Sequence, residues 1–213
     1  MNARNKRVRC KICGILELEH ALAVSDAGGD AIGFVFYPPS PRYIDPAAAS
    51  RILAKLPPFI TTVGLFVNHS AEQVREILNV VPLDVLQFHG DEDNDFCRSF
   101  SRPFYKAIGV GDETDVVAEA AKYPDAAALL FDTHDPQLRG GTGRVFDWSR
   151  IRHELGKPVI LAGGLNPTNV AEAIRTVRPY AVDVSGGVEA SKGVKSIELI
   201  QEFIGEVYRE YEV

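Results

Sequence analysis

The sequence predicts a single-domain α/β protein, a (β/α)8 barrel of the TIM type, on three observations. Strand-length apolar runs rich in β-branched residues alternate with helical patterns along the whole chain. Eight such pairs fit within 213 residues, which leaves only short connections. No linker, low-complexity stretch or composition shift interrupts the alternation, so residues 1–213 read as one domain, with 1–6 as a short N-terminal extension. Strands separated by helical crossovers pair in parallel. An open doubly wound sheet of this length usually needs fewer strands, so closure into a barrel is expected.

Residues 8–13 read as the first strand. "ELEHALAVSDAGG" follows as a helix, with Leu18, Ala21, Leu22 and Val24 on one face and Gly28 and Gly29 as its stop. The second strand spans 31–36. The helix after it opens on the cap signal of Asp45 and Pro46 and closes at Pro57. The third strand, 61–67, leads to a helix capped by Ser70, with Gln73 at capping-box spacing. Strands at 85–88, 104–108, 127–131, 158–161 and 181–184 complete the eight. Their helices are "DEDNDFCRSF", "DETDVVAEAAKYP", "DWSRIRHEL", "NPTNVAEAIRTV" and "SIELIQEFIGEVY". The longest irregular stretch, 133–146, is glycine-rich, which suits a loop that closes over a ligand.

The chain carries a net charge of −6, which argues against general affinity for nucleic acid. The basic cluster Arg4, Lys6, Arg7, Arg9 and Lys11 reads as a solvated lead-in to the first strand. No apolar run reaches the roughly 18–20 residues of a membrane span, and no signal-peptide core follows the basic start. Three cysteines without framework spacing argue against structural disulfides. A cytoplasmic protein is expected, monomeric, with a dimer as the alternative.

Barrel active sites lie at the C-terminal ends of the strands, so polar residues there are the candidates. They are Cys13, Tyr37, Arg42, Asn68, Gln87, His89, Asp132, Gly163, Gly164, Asp183, Ser185, Gly186 and Gly187. "LAGGLNPTNV" and "VDVSGGVEASKG" place small residues after strands seven and eight, where backbone N–H groups can approach an anion. A phosphate fits this pattern better than two ordinary glycine turns. Asp132 can give a proton if burial raises its pKa. Cys13 can take one if its thiol is lowered from about 8.5; its alternative is a buried apolar thiol. Arg42, in "PPSPRYIDP", can grip a carboxylate bidentately or simply lie on the surface.

Cys10 and Cys13 have C-x-x-C spacing but lie on a strand, where residues three apart face opposite ways. A disulfide or zinc site is therefore not expected, and no second cysteine pair supplies more ligands. Cys97 reads as packing. His20, His69, His134 and His153 read as surface residues, and His89 as the one histidine at a strand end.

"KICG" (11–14), "GFVFYPPSPRYI" (33–44), "VGLFVN" (63–68), "LQFHG" (86–90), "LFDT" with "GGTGRVFDW" (129–148), "LAGGLNPTNV" (161–170) and "VDVSGGVE" (182–189) together resemble the phosphoribosylanthranilate isomerase family of tryptophan biosynthesis. The resemblance covers nearly the whole chain, in order. It implies an Amadori rearrangement of a phosphorylated small molecule, with no metal and no cofactor. By similarity Asp132 is the general acid, Cys13 the general base and Arg42 the group that meets the anthranilate carboxylate. Gln87, His89 and Asp183 fall at the substrate, and Gly163, Gly164, Ser185, Gly186 and Gly187 at the phosphate. Gly186 stands where many relatives carry a second serine, and Phe88 where leucine is usual.

Three alternatives share the predicted barrel. A histidine-pathway Amadori isomerase is expected to carry paired aspartates, one at the place of Cys13. Indole-glycerol-phosphate synthase needs a strand-end lysine, and the nearest, Lys106, lies within strand five. A non-catalytic phospho-ligand barrel would lack Cys13 or Asp132.

Overall fold

The computed structural model describes residues 7–133, 146–151 and 155–210. Eight parallel strands close into one barrel in sequence order: β1 (Arg9–Cys13), β2 (Ala31–Val35), β3 (Thr61–Phe66), β4 (Val85–Phe88), β5 (Phe104–Val110), β6 (Ala128–Thr133), β7 (Val159–Leu161) and β8 (Ala181–Val184). The seam is β1 on β8, with Cys10 opposite Val182 and Lys11 opposite Asp183. Helices α1 (Leu18–Asp26), α2 (Pro46–Leu53), α3 (Ala71–Val80), α4 (Asn94–Arg98), α5 (Val116–Ala121), α6 (Val170–Val177) and α7 (Ile197–Arg209) follow the strands.

Alternation along the strands separates two packing layers. Outward side chains, among them Cys10, Ile12, Phe34, Phe66, Phe88, Leu129 and Val182, join the helices in one large core. Inward ones divide by height. Val63, Tyr105, Ala107, Ala128, Leu130, Ile160, Ala162 and Ala181 fill the lower barrel. Cys13, Val35, Leu65 and Val67 form a separate upper cluster beneath the mouth. As expected from their spacing, Cys10 faces the helices and Cys13 the interior, and all three cysteines are free thiols. Phe88 is fully buried in an aromatic cluster with Phe66, Phe96, Phe100 and Phe104, so the larger ring is absorbed on the helix side.

Local signals acted where they were read. Asp45 caps α2 by accepting from the N–H groups of Ala47 and Ala48. Ser70 and Gln73 form the full capping box on α3. Four expectations are corrected. The helix after β2 ends at Leu53, before Pro57. "DWSRIRHEL" gives a single 3-10 turn, Trp148–Arg150, because the Asp147 carboxylate takes Ser149 N–H and Oγ while Arg150 donates to Gly111 O and Thr114 O; residues 152–154 lie outside the described residues. His20 is buried, since it shares the inner stripe of α1 with Ala21 and Val24. His69 is half-buried, with Val67 N–H donating to Nδ1 and Nε2 bonded to Phe36 O. His134, His153 and nearly all of the 133–146 loop lie outside the described residues. A short hairpin, β9 (Glu189–Ser191) with β10 (Val194–Lys195), follows β8 and was not expected.

Candidate active site at the barrel mouth

One cavity of about 520 Å³ opens at the C-terminal ends of the strands. It is lined by Cys13, Arg42, Gln87, His89, Asp132, Gly163, Gly164, Asp183, Ser185, Gly186 and Gly187, so every candidate carried by the resemblance meets at one place. Tyr37 lines it too. Asn68 does not: its amide is engaged with Asp91 in a turn.

Asp132 is the next-to-last residue of β6, three strands from Cys13 around the barrel. Its Oδ1 accepts from Thr133 N–H at 2.7 Å, and its Oδ2 lies 3.4 Å from His89 Nε2. The far side of His89 sets that ring's proton. Gln87 Oε1 accepts from Lys11 Nζ (3.2 Å) and Tyr105 Oη (3.1 Å), so the Gln87 amide nitrogen is the group 3.1 Å from His89 Nδ1. Nδ1 therefore accepts, and the proton of the neutral ring sits on Nε2, facing Asp132.

Cys13 ends β1 and is 4% exposed. Burial pushes its thiol up, and Lys11 is the main group that pulls it back. Sequence reasoning missed Lys11 as a site residue, although a lysine two positions before Cys13 on a strand must share its face. Lys11 Nζ donates to both oxygens of Asp183, at 2.8 and 2.9 Å, inside the barrel. Burial opposes its charge, but Asp183 and the neighbouring acidic groups outweigh that and hold the ammonium well above its ordinary range. Asp183 thus serves an internal ion pair as well as the cavity wall.

Arg42 corrects the expectation of an open guanidinium fork. Its Nε and Nη2 donate to Glu189 Oε1 (2.6 Å) and Oε2 (2.9 Å), so a ligand carboxylate can meet only the outer edge, Nη1 with the second proton of Nη2. Glu189 also accepts from Lys195 Nζ at 2.9 Å. Burial works against the charge on Glu189, but the bonds from Arg42 and the charge of Lys195 outweigh it and hold the carboxyl below its usual range. Lys195 continues to Ser185 O and Oγ, and Ser185 Oγ donates to Cys13 O. No sequence signal marked Glu189 or Lys195, because their partners are distant in the chain and their hairpin is two to three residues a strand.

The loops after β7 and β8 form one cradle. Gly163 and Gly164 take left-handed φ of 83° and 65°. A methyl at Gly187 would lie 1.9 Å from Leu165 O, so the two loops touch and only glycine fits between them. Asn169 Nδ2 holds Gly164 O at 3.0 Å. Among the described residues no group of three His, Cys, Asp or Glu side chains could hold a metal ion, and no helix is long and apolar enough to cross a membrane.

The model of the family described as N-(5′-phosphoribosyl)anthranilate (PRA) isomerase matches residues 10–206. The N-(5′-phosphoribosyl)anthranilate isomerase of Hahella chejuensis (strain KCTC 2396) is 99% identical over 213 residues, covering 100% of both chains. The crystal structure of phosphoribosyl anthranilate isomerase from Thermotoga maritima superposes with a TM-score of 0.87 at 43% identity, covering 95% of this chain and 99% of that one. A further crystal structure of the isomerase, in complex with reduced 1-(o-carboxyphenylamino)-1-deoxyribulose 5-phosphate, superposes with a TM-score of 0.80 at 41% identity, with the same coverage. The closed barrel and the cavity at its mouth, with Cys13, Asp132 and the glycine cradle in its wall, thus stand in a chain that belongs to the N-(5′-phosphoribosyl)anthranilate isomerase family.

Proposed function

We propose that this chain catalyses the Amadori rearrangement of N-(5′-phosphoribosyl)anthranilate to 1-(2-carboxyphenylamino)-1-deoxyribulose 5-phosphate, a step of tryptophan biosynthesis. The observation that carries the reading is the convergence of Cys13 and Asp132 on one cavity beside the glycine cradle. The ligand of the neighbouring structure is the reduced form of this product.

In this reading the Asp132 carboxylic acid protonates the furanose ring oxygen. The C1′–O bond breaks, and the anthranilate nitrogen's lone pair makes the Schiff base. The Cys13 thiolate then removes the C2′ proton, and the electrons move to the nitrogen to give an enolamine, which tautomerises to the ketone. His89, with Nε2–H turned toward Asp132, holds that carboxyl in place at the cavity wall. The outer edge of Arg42 meets the anthranilate carboxylate. Gly163, Gly164, Ser185, Gly186 and Gly187 hold the phosphate through backbone N–H groups. Gln87 and Asp183 keep the floor of the cavity polar. None of these steps calls for a cofactor. Buried free thiols suit the cytoplasm.

Indole-glycerol-phosphate synthase chemistry is disfavoured by Lys106, which turns away from the cavity and donates to Gly90 O at 2.6 Å. The test is turnover of phosphoribosylanthranilate made in situ, followed by loss of anthranilate-type fluorescence. Wild type should turn over, and Cys13→Ala and Asp132→Asn should each lose at least about 100-fold in kcat. Activity that survives Cys13→Ala would return the thiol to the core. An inactive wild type would favour a sister reaction on the same barrel.

A further inference from the structure

Cys13 sits where burial favours the protonated thiol, which is the wrong form for a base. Lys11 leaves the same inner face of β1, one pleat below. The residue paired with Cys13 on the next strand is Gly33, and both side chains close over it. A methyl on Gly33 would lie 2.8 Å from Cys13 Sγ and 3.1 Å from Lys11 Nζ. The missing side chain is therefore what lets thiol and ammonium share this space. The ammonium is fixed there by Asp183 from β8 and Gln87 from β4.

We infer that Lys11 is a positioning residue for the reaction: its ammonium, anchored under the cavity floor by Asp183 and Gln87, stabilises the thiolate of Cys13. The inference rests on the proposed role of Cys13 as the base. Other charged or titratable groups also face the thiol. Asp183 opposes the thiolate, and Lys195 on β10 favours it less strongly than Lys11 does. Tyr105 on β5 is kept neutral by burial. Arg42, His89, Asp132 and Glu189 line the same cavity, and the charges of Arg42 and Glu189 are spent on each other. A lysine buried without such a task would be a costly choice for a barrel interior, where an apolar pair of the same volume often serves equally well.

The test reads the thiol itself. The rate of Cys13 alkylation by iodoacetamide is followed against pH, with the modified peptide quantified by mass spectrometry. In Lys11→Met the half-point should move up by about one unit, so that alkylation near pH 7 slows by about tenfold. Lys11→Arg, which keeps the charge, should stay close to wild type. The double variant Lys11→Met with Asp183→Asn removes both buried charges together and guards against misfolding; because Asp183 opposes the thiolate, its half-point should lie above that of Asp183→Asn alone. The acid limb of the kcat profile should move with the thiol. An unmoved alkylation profile in Lys11→Met, or a double variant whose profile matches that of Asp183→Asn, overturns the inference. So does lost turnover with an unmoved profile, the mark of a merely structural lysine. An upward shift in a protein whose Cys13→Ala variant still turns over would instead support the coupling and overturn the base.

Discussion

Glu189 accepts from four donors: Arg42 twice, Lys195 and the Gly193 N–H. Replacing it by Gln leaves two buried cations without their counter-charge. Glu189→Gln should cost about 3 kcal/mol of stability, seen as a melt lowered by several degrees. It should also raise KM about tenfold with a smaller effect on kcat, since in the proposed reading Arg42 meets the substrate away from the reacting atoms. An unchanged KM would mean that Arg42 holds its place without Glu189. Residues of this kind explain what the sequence conceals. Cys13 and Asp132 are legible because a strand end is a position in the chain. The partner of Arg42 is not, since it lies 147 residues away and is chosen by the closed barrel. Lys11 was legible in principle, by the same alternation that turned Cys10 outward.

At the level of elements, local chemistry was the best guide. Ser70 donates nothing to the active site; its Oγ takes the Gln73 N–H at 3.2 Å while Gln73 Oε1 takes the Ser70 N–H at 2.9 Å. Ser70→Ala should therefore cost about 1 kcal/mol, a fall in Tm of about 2–4 °C, with kcat unchanged. A kcat loss would tie α3 to the chemistry in a way its position does not suggest. Caps and strands could be read because their signals span four to seven residues. The turn at Trp148–Arg150 could not, because Arg150 is claimed by carbonyls of the loop after β5 rather than by a helix of its own. The β9–β10 hairpin was hidden for the same reason: it is held by side chains that reach the mouth, not by an apolar pattern.

For the molecule as a whole, ionisation within its helix-facing core sets an alkaline pH boundary. Burial is the main force that pushes both the Cys97 thiol and the Tyr123 phenol up to about 12. Each group binds its proton more tightly when folded than when unfolded. Their contribution to stability is complete below the unfolded thiol value near 9 and is lost as pH rises toward about 12. Tm should hold level from neutral pH to about 9 and then fall steeply, measured by calorimetry. A level Tm through about pH 11 would show that these groups ionise without cost to the fold. The closed barrel itself was legible, because eight alternations in a short chain leave few other shapes. Its inner division was not, since a polar mouth over an apolar base depends on height within the barrel.

The chain's two described ends also meet. Arg7, just before β1, donates to Asp30 and, at 3.3 Å, to the hydroxyl of Tyr208 near the close of α7, with its guanidinium over the Tyr208 ring. Arg7 precedes a strand and Tyr208 ends a helix running back down, so both stand at the base, opposite the mouth. A tether, a tag or a fused second enzyme attached at either end would hang beneath the barrel. The opening at the mouth would still face solution.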